Sequence, residues 1–163
     1  MAKASLIWLN YNSSKFIDLA LRSIESVLNL DFDDYELVVV DNASTDGSFE
    51  AIKKFVEEKK PSGVRVKFVR SDTNRGYAGG MNLGWEARDP DAKWVAFLNN
   101  DLIATPESLR GIIEYMESDE KIVAANGLIY LHDGKTIYSA GGFGSEDWIF
   151  GGICWPSIED QCP

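Results

Sequence analysis

The chain alternates between two kinds of hydrophobic pattern, and that alternation limits its fold more than any single residue does. Three six-residue segments, "ASLIWL" (4–9), "YELVVV" (35–40) and "KWVAFL" (93–98), have the length and apolar content of strands, and "VRVKFV" (64–69) alternates like one. Between and after them lie "FIDLALRSIESVLNL" (16–30), "GSFEAIKKFVEEKK" (47–60), "AGGMNLGWEAR" (78–88) and "TPESLRGIIEYMES" (105–118). In the first, Phe16, Leu19, Ala20, Ile24, Val27 and Leu28 recur at three- and four-residue steps, the mark of an amphipathic helix. Pro61 and Gly63 stop the second, and Thr105-Pro106 opens the last with a capping signal. "KIVAANGLIYL" (121–131) and "KTIYSA" (135–140) read as further strands. A β-α-β-α-β-α-β-α-β order predicts an α/β fold with a mostly parallel sheet and helices on both faces.

The 163 residues are most simply one main domain over 1–141. The periodic signal fades after residue 141, and 142–163 form a tail rich in Gly and aromatics that reads as a loop, a lid or the start of a further part. At 45% hydrophobic residues the chain has the material for a core. A net charge of −10 argues against a nucleic-acid backbone as partner but leaves a nucleotide ligand open. No apolar stretch reaches the roughly 20 residues of a membrane span. The N-terminal patch reads as a first strand rather than a secretory signal, which makes the cytoplasm the expected compartment and leaves peripheral membrane association open. Cys154 and Cys162 match no zinc spacing and read as plain thiols.

In open parallel sheets, ligands bind beyond the carboxyl ends of the strands. Here those ends are followed by "NYNSS" (10–14), "DNASTDGS" (41–48), "SDTNRGYAGGMN" (71–82) and "NNDLIATP" (99–106), all polar and all expected on one edge. Asp41 follows a buried strand and is suited to accept from a base N–H or a ribose hydroxyl. Thr45 or Asp46 is placed to cap the next helix. Gly76, Gly79 and Gly80 permit close approach of the backbone, but their spacing is neither the dinucleotide fingerprint nor a P-loop. Arg75 is the cation of that loop, suited to a diphosphate. Asn99, Asn100 and Asp101 fit either a turn or a divalent-cation site, since Mg2+ takes one or two carboxylates together with substrate phosphates.

The blocks "LNYN" (9–12), "VVVDNASTDGS" (38–48), "NRGYAGGMNLG" (74–84) and "LNND" (98–101), in this order, resemble the nucleotide-sugar-binding part of family 2 glycosyltransferases, with the rhamnosyltransferase-like branch the nearest likeness. The likeness covers roughly residues 4–141. It implies the GT-A fold and transfer of a sugar from a nucleotide-diphosphate donor to an acceptor hydroxyl with inversion. It implies that Asp41 contacts the base or ribose. Asn10, Asn12, Asn74, Arg75, Gly76, Asn82 and Asn100 then border the nucleotide-sugar. Asp101 matches the last acid of the family's D-x-D motif, which holds Mg2+ or Mn2+, and Asn99 stands in place of the first Asp. The acceptor implied is a glycan or a lipid-linked glycan.

Three needs follow from that reaction: a metal to offset charge on the leaving diphosphate, a carboxylate to take the acceptor proton, and alignment for in-line attack. In the family the base lies beyond the matched region; in this chain Asp160 of "SIEDQC" is the candidate. A module or fragment that binds the nucleotide-sugar but lacks the base is the alternative. A nucleotidyltransferase would need a Gly-rich basic loop after the first strand, which "NYNSS" is not. Trp94 reads as core, Trp148 and Trp155 as residues of the tail, His132 as a turn residue and "EEKK" (57–60) as a solvated helix end.

Overall fold

A computed structural model describes residues 3–140 and the backbone of 142–144 and 150–152. The chain divides into two compact units, Met1–Arg110 and Gly111–Pro163. The first holds a parallel sheet of β1 (Ala4–Asn10), β2 (Tyr35–Asp41), β3 (Arg65–Arg70) and β4 (Trp94–Asn99) in the order β3-β2-β1-β4. Its helices are α1 (Ile17–Leu28), α2 (Ser48–Lys59) and α3 (Gly76–Ala87), and α4 (Ser108–Glu117) runs across the boundary between the units.

Every residue of β1 and β2 is buried, which is why these two strands read as continuous apolar runs without alternation. β3 and β4, at the sheet edges, are partly exposed. Ile7, Leu9, Val38, Val40 and Met81 form the core cluster on the face that α3 covers. Trp8 points to the other face, where its indole N–H donates to Ser23 of α1 at 3.1 Å. On that face the Tyr35 hydroxyl donates to the carbonyl of Val27 at 2.8 Å, and burial pushes its pKa up to about 12.

Register brings the strand ends together. Asn10 is opposite Asp41, Asp41 is opposite Arg70, and Leu9 is opposite Asn99. The chain leaves all four strands at the same edge within a residue or so. Strand order reverses between β1 and β4, the place where open α/β sheets open a crevice.

The second unit departs from the expected pattern. Residues 121–128 form no strand, and β5 (Ile129–Tyr130) pairs antiparallel with β6 (Ile137–Ser139), so the fifth parallel strand expected over 121–131 is replaced by a hairpin. The Asn126-Gly127 pair interrupts the apolar run, and Val123 is 86% exposed. The turn after β5 is closed by Asp133, which accepts from the backbone N–H groups of Lys135 and Thr136 at 2.9 Å each and from the Thr136 hydroxyl at 2.6 Å. Those bonds lower the Asp133 pKa to about 2. His132 sits in this turn and is exposed. The tail, expected to be irregular, contains β7 (Gly142–Gly144) and β8 (Phe150–Gly152) as an antiparallel pair, too short to leave a periodic signal. Asp160, Cys154, Cys162, Trp148 and Trp155 lie outside the described residues. Among the described residues no helix is long and apolar enough to cross a membrane.

Candidate functional site

The loops after β1 and β2 are locked to each other by buried polar groups. Asn10 is fully buried, and its side-chain amide shares its two N–H bonds among Asp41 Oδ1 at 2.9 Å and the hydroxyls of Ser44 and Ser48 at 3.1 Å each. The Ser13 hydroxyl donates back to Asn10 Oδ1. Asn12, at φ +46°, donates its backbone N–H to Ser44 Oγ at 2.9 Å and accepts from the Thr45 N–H at 2.9 Å. Asp46 joins both loops, taking the Ser14 N–H at 2.8 Å and the Ser48 N–H at the start of α2 at 3.0 Å. Partial burial raises the Asp46 pKa, but the bonds from Ser48 and Ser14 outweigh it and hold the carboxyl well below the usual range.

Asp41 is fully buried. Its Oδ1 accepts from Asn10, and its Oδ2 accepts from the Ser44 N–H at 3.0 Å and faces Arg70 Nε at 3.2 Å. Arg70 also binds Glu50 at 2.9 Å and the Ser44 carbonyl at 2.6 Å. A buried carboxylate is costly unless paired and hydrogen-bonded, and here both oxygens are engaged. Asp41 therefore ties the ends of β1, β2 and β3 together from inside the wall.

The loop after β3 is fastened by Asn42. Its amide donates to Asn74 Oδ1 at 2.9 Å and to the Gly76 carbonyl at 3.0 Å, and its Oδ1 accepts the Arg75 N–H at 2.9 Å. Gly76, at φ +69°, supplies the left-handed turn that starts α3 two residues earlier than the sequence suggests. The loop after β4 hangs from α1: the Ser23 hydroxyl lies 3.4 Å from the Asn99 carbonyl, and the Ala104 N–H donates to Ser26 Oγ at 3.0 Å.

Between these loops lies a cavity of about 330 Å³, lined by Leu9, Tyr11, Phe16, Asn42, Asn74, Gly76, Tyr77 and Asn99–Asp101. A slightly larger one, about 400 Å³, opens at the opposite edge of the sheet among Leu28, Phe32, Tyr35, Pro61 and Val64. The smaller is the candidate site, because the four polar loops converge only there. Asn74, Gly76, Asn99, Asn100 and Asp101 line it. Asn10 and Asp41 lie in the wall behind it, so Asp41 and Asp101 share an edge of the sheet while only Asp101 is a lining residue. Asn12 is spent in the clasp, and Asn82 and Arg75 are exposed on α3 and at its start. Sequence reasoning missed Asn42 and the aromatic residues Tyr11, Phe16 and Tyr77. Alternation was the available signal for Tyr11, which follows the buried Asn10 and is 43% exposed.

Asp101 is exposed and is the one carboxylate among the lining residues. Among the described residues no three His, Cys, Asp or Glu side chains converge as a metal cage. A single carboxylate beside two amide side chains suits a hard cation that brings phosphate oxygens with it, not one held by protein alone.

Comparison with known proteins agrees with this geometry. Residues 5–153 match the family Glycosyl transferase family 2. An uncharacterised glycosyltransferase of Nostoc sp. is 33% identical over 120 residues, 74% of this chain and 34% of its own length. Succinoglycan biosynthesis protein ExoO of Rhizobium meliloti is 30% identical over 128 residues, 78% of this chain and 34% of its own. The chain thus spans about a third of the length of these curated relatives. Among solved structures, S. aureus TarS 1-349 in complex with UDP superposes with a TM-score of 0.57 at 26% identity, over 72% of this chain and 33% of that one. The mannosyltransferase PcManGT from Pyrobaculum calidifontis, in complex with GDP-Man and Mn2+, shares the fold with a TM-score of 0.61 at 22% identity, over 70% of this chain and 32% of that one. The fold is that of the GT-A glycosyltransferases, and the chain belongs to glycosyl transferase family 2.

Proposed function

We propose that the cavity at the carboxyl ends of β1, β2 and β4 binds a nucleotide-diphosphate sugar, and that the protein of which this unit is part transfers the sugar, a hexosyl or rhamnosyl group, to an acceptor hydroxyl with inversion. The observation that carries this reading is the cavity itself: about 330 Å³ lined by amide side chains, three aromatic rings and one carboxylate, where four strand ends meet. Tyr11, Phe16 and Tyr77 offer apolar surface to a base, while Asn74, Gly76, Asn99 and Asn100 offer hydrogen-bonding groups. Asn82 and Arg75 extend the contacts along α3. Asp41, paired behind the wall, shapes the base side and reaches the ligand only if Arg70 yields Oδ2.

Asp101, with Asn99 beside it, is the group that would hold a Mg2+ or Mn2+ carried in on the diphosphate. When bound, such an ion offsets the charge gathering on the leaving group. The protein's own part is to hold the donor in one orientation between rigid loops and limit its motion before attack. Likeness to ExoO, a succinoglycan biosynthesis protein, supports a glycan acceptor. A lipid-linked form of it and a cytoplasmic setting, with or without peripheral membrane contact, complete the reading. A second reading, binding without transfer, is favoured by the single lining carboxylate: Asp101 is assigned to the metal, which leaves no base among the described lining residues. Asp160 remains the sequence candidate for that base.

Calorimetric titration with UDP-, dTDP- and GDP-sugars, with and without Mn2+, tests the reading. Metal-enhanced binding of at least one is expected, and no binding of any would overturn it. Asp101→Ala should weaken the metal-dependent binding by at least about tenfold, with an unchanged melting temperature because the side chain is exposed. Turnover with added acceptor then separates transfer from binding alone.

A further inference from the structure

Asn42 stands at the cavity, yet its polar atoms are turned away from any ligand. It is 2% exposed, and both amide N–H bonds are committed, one to Asn74 and one to Gly76. Its Oδ1 holds the backbone N–H of Arg75. Asn74 Oδ1 accepts from the Gly76 N–H at 2.8 Å as well, so Asn42 fastens a turn that is already closed. Arg75 is fixed from three sides. Asn42 holds its backbone, Ser71 Oγ accepts from its Nε at 3.0 Å, and its Cβ lies against Gly79, where an added Cβ would come within 2.6 Å. Among the described residues no group binds the two Nη amino groups of Arg75.

A guanidinium anchored through Nε and backbone, with both Nη groups uncommitted, is preorganised for an anionic ligand. We propose that Asn42 is a positioning residue for nucleoside-diphosphate binding: it does not touch the ligand but sets the 74–76 turn, and through it the Arg75 guanidinium, at the rim of the cavity. The inference rests on the donor-binding reading above. It explains why an Asn, and not a residue with fewer donors, follows β2. One side chain must give two hydrogen bonds and receive one to join the β2 end to the turn before α3.

A residue that acts through Arg75 loses its effect when Arg75 is removed, and a residue that merely stabilises the fold does not. The test is a double-mutant cycle with UDP as the probe, read by calorimetry, on the unsubstituted chain, Asn42→Ala, Arg75→Ala and the double variant. Asn42→Ala should lower UDP affinity by roughly tenfold in the unsubstituted background and by less than about twofold in the Arg75→Ala background. Asn42→Ser, which keeps a polar group at the strand end, carries the same cycle if Asn42→Ala melts below the assay temperature. Losses that add, or an Asn42→Ala chain that binds UDP normally, would overturn the inference and leave the donor-binding reading standing. An unsubstituted chain that binds no nucleoside diphosphate would overturn both.

Discussion

At the scale of the residue, the most consequential buried charge outside the cavity is Glu36. It is 1% exposed, and its Oε1 takes the Ser5 hydroxyl at 2.7 Å and the backbone N–H of Asp89. Its Oε2 faces Lys67 Nζ at 3.0 Å. Burial raises its pKa, but the hydrogen bonds from Ser5, Asp89 and Lys67 together with the Lys67 charge outweigh it, so the folded value lies below the ordinary 4.5. A depressed folded pKa means stability that is present above the unfolded pKa and lost as pH falls through the folded one. Glu36→Gln should therefore cost about 1–3 kcal/mol near neutral pH. Lys67 is half exposed, so its charge is screened and the figure lies nearer the lower end. Urea unfolding of both chains at about pH 7 and about pH 3 checks this. The gap should narrow at the acid end, and a gap independent of pH would show that the Glu36 charge contributes nothing.

At the scale of the element, α3 is built to lie close to the sheet. An added Cβ on Gly84 would come within 2.9 Å of Val40 Cγ2 and closer still to Ile7, and one on Gly80 within 2.7 Å of Leu9 Cδ1. These partners belong to central strands that cannot retreat. Gly84→Ala gains up to about 1 kcal/mol of helix propensity and loses about 1–3 kcal/mol to overpacking, so a net loss is expected. Gly111→Ala in α4 is the matched control: among the described residues nothing lies within 4 Å of the added Cβ, and propensity alone should stabilise by about 0.5–1 kcal/mol. Thermal melts of the two variants should move in opposite directions; a stabilising Gly84→Ala would mean that α3 has room to lift. The sequence marks α3 as a helix entered through glycines, but spacing cannot say which glycines face the sheet. It likewise shows the two central strands, because burial on both faces leaves an uninterrupted apolar run. It misplaces the strand at 121–131, because an apolar run in a short antiparallel hairpin looks the same as one in a parallel sheet until its partner is known.

At the scale of the whole molecule, register makes the site: four chain segments far apart in sequence reach one edge because Asn10, Asp41 and Arg70 are in line and Asn99 is one step away. The polar loops themselves could be read from the sequence, since each interrupts an apolar run. Which polar groups face the cavity and which are consumed in the wall could not, since Asp41 and Asp101 look alike as letters, while in the fold Asp41 is buried among Asn10, the Ser44 N–H and Arg70 and Asp101 is exposed at the cavity. The same scale sets the electrostatics of approach. The chain carries −10, while the proposed ligand is itself an anion, so the long-range field opposes the encounter even though Arg75 favours the final contact. Salt screens the distant charges more than the close one, because the Debye length falls from about 30 Å at about 0.01 M to about 8 Å at about 0.15 M. The association rate of UDP without metal should therefore rise with ionic strength over that range, the reverse of a basic site. The rise should be smaller for the Mn2+ complex, whose net charge is lower. Stopped-flow mixing at the two salt levels measures both. A rate that falls with added salt would mean that Arg75 and its surroundings, not the acidic remainder, govern how the nucleotide arrives.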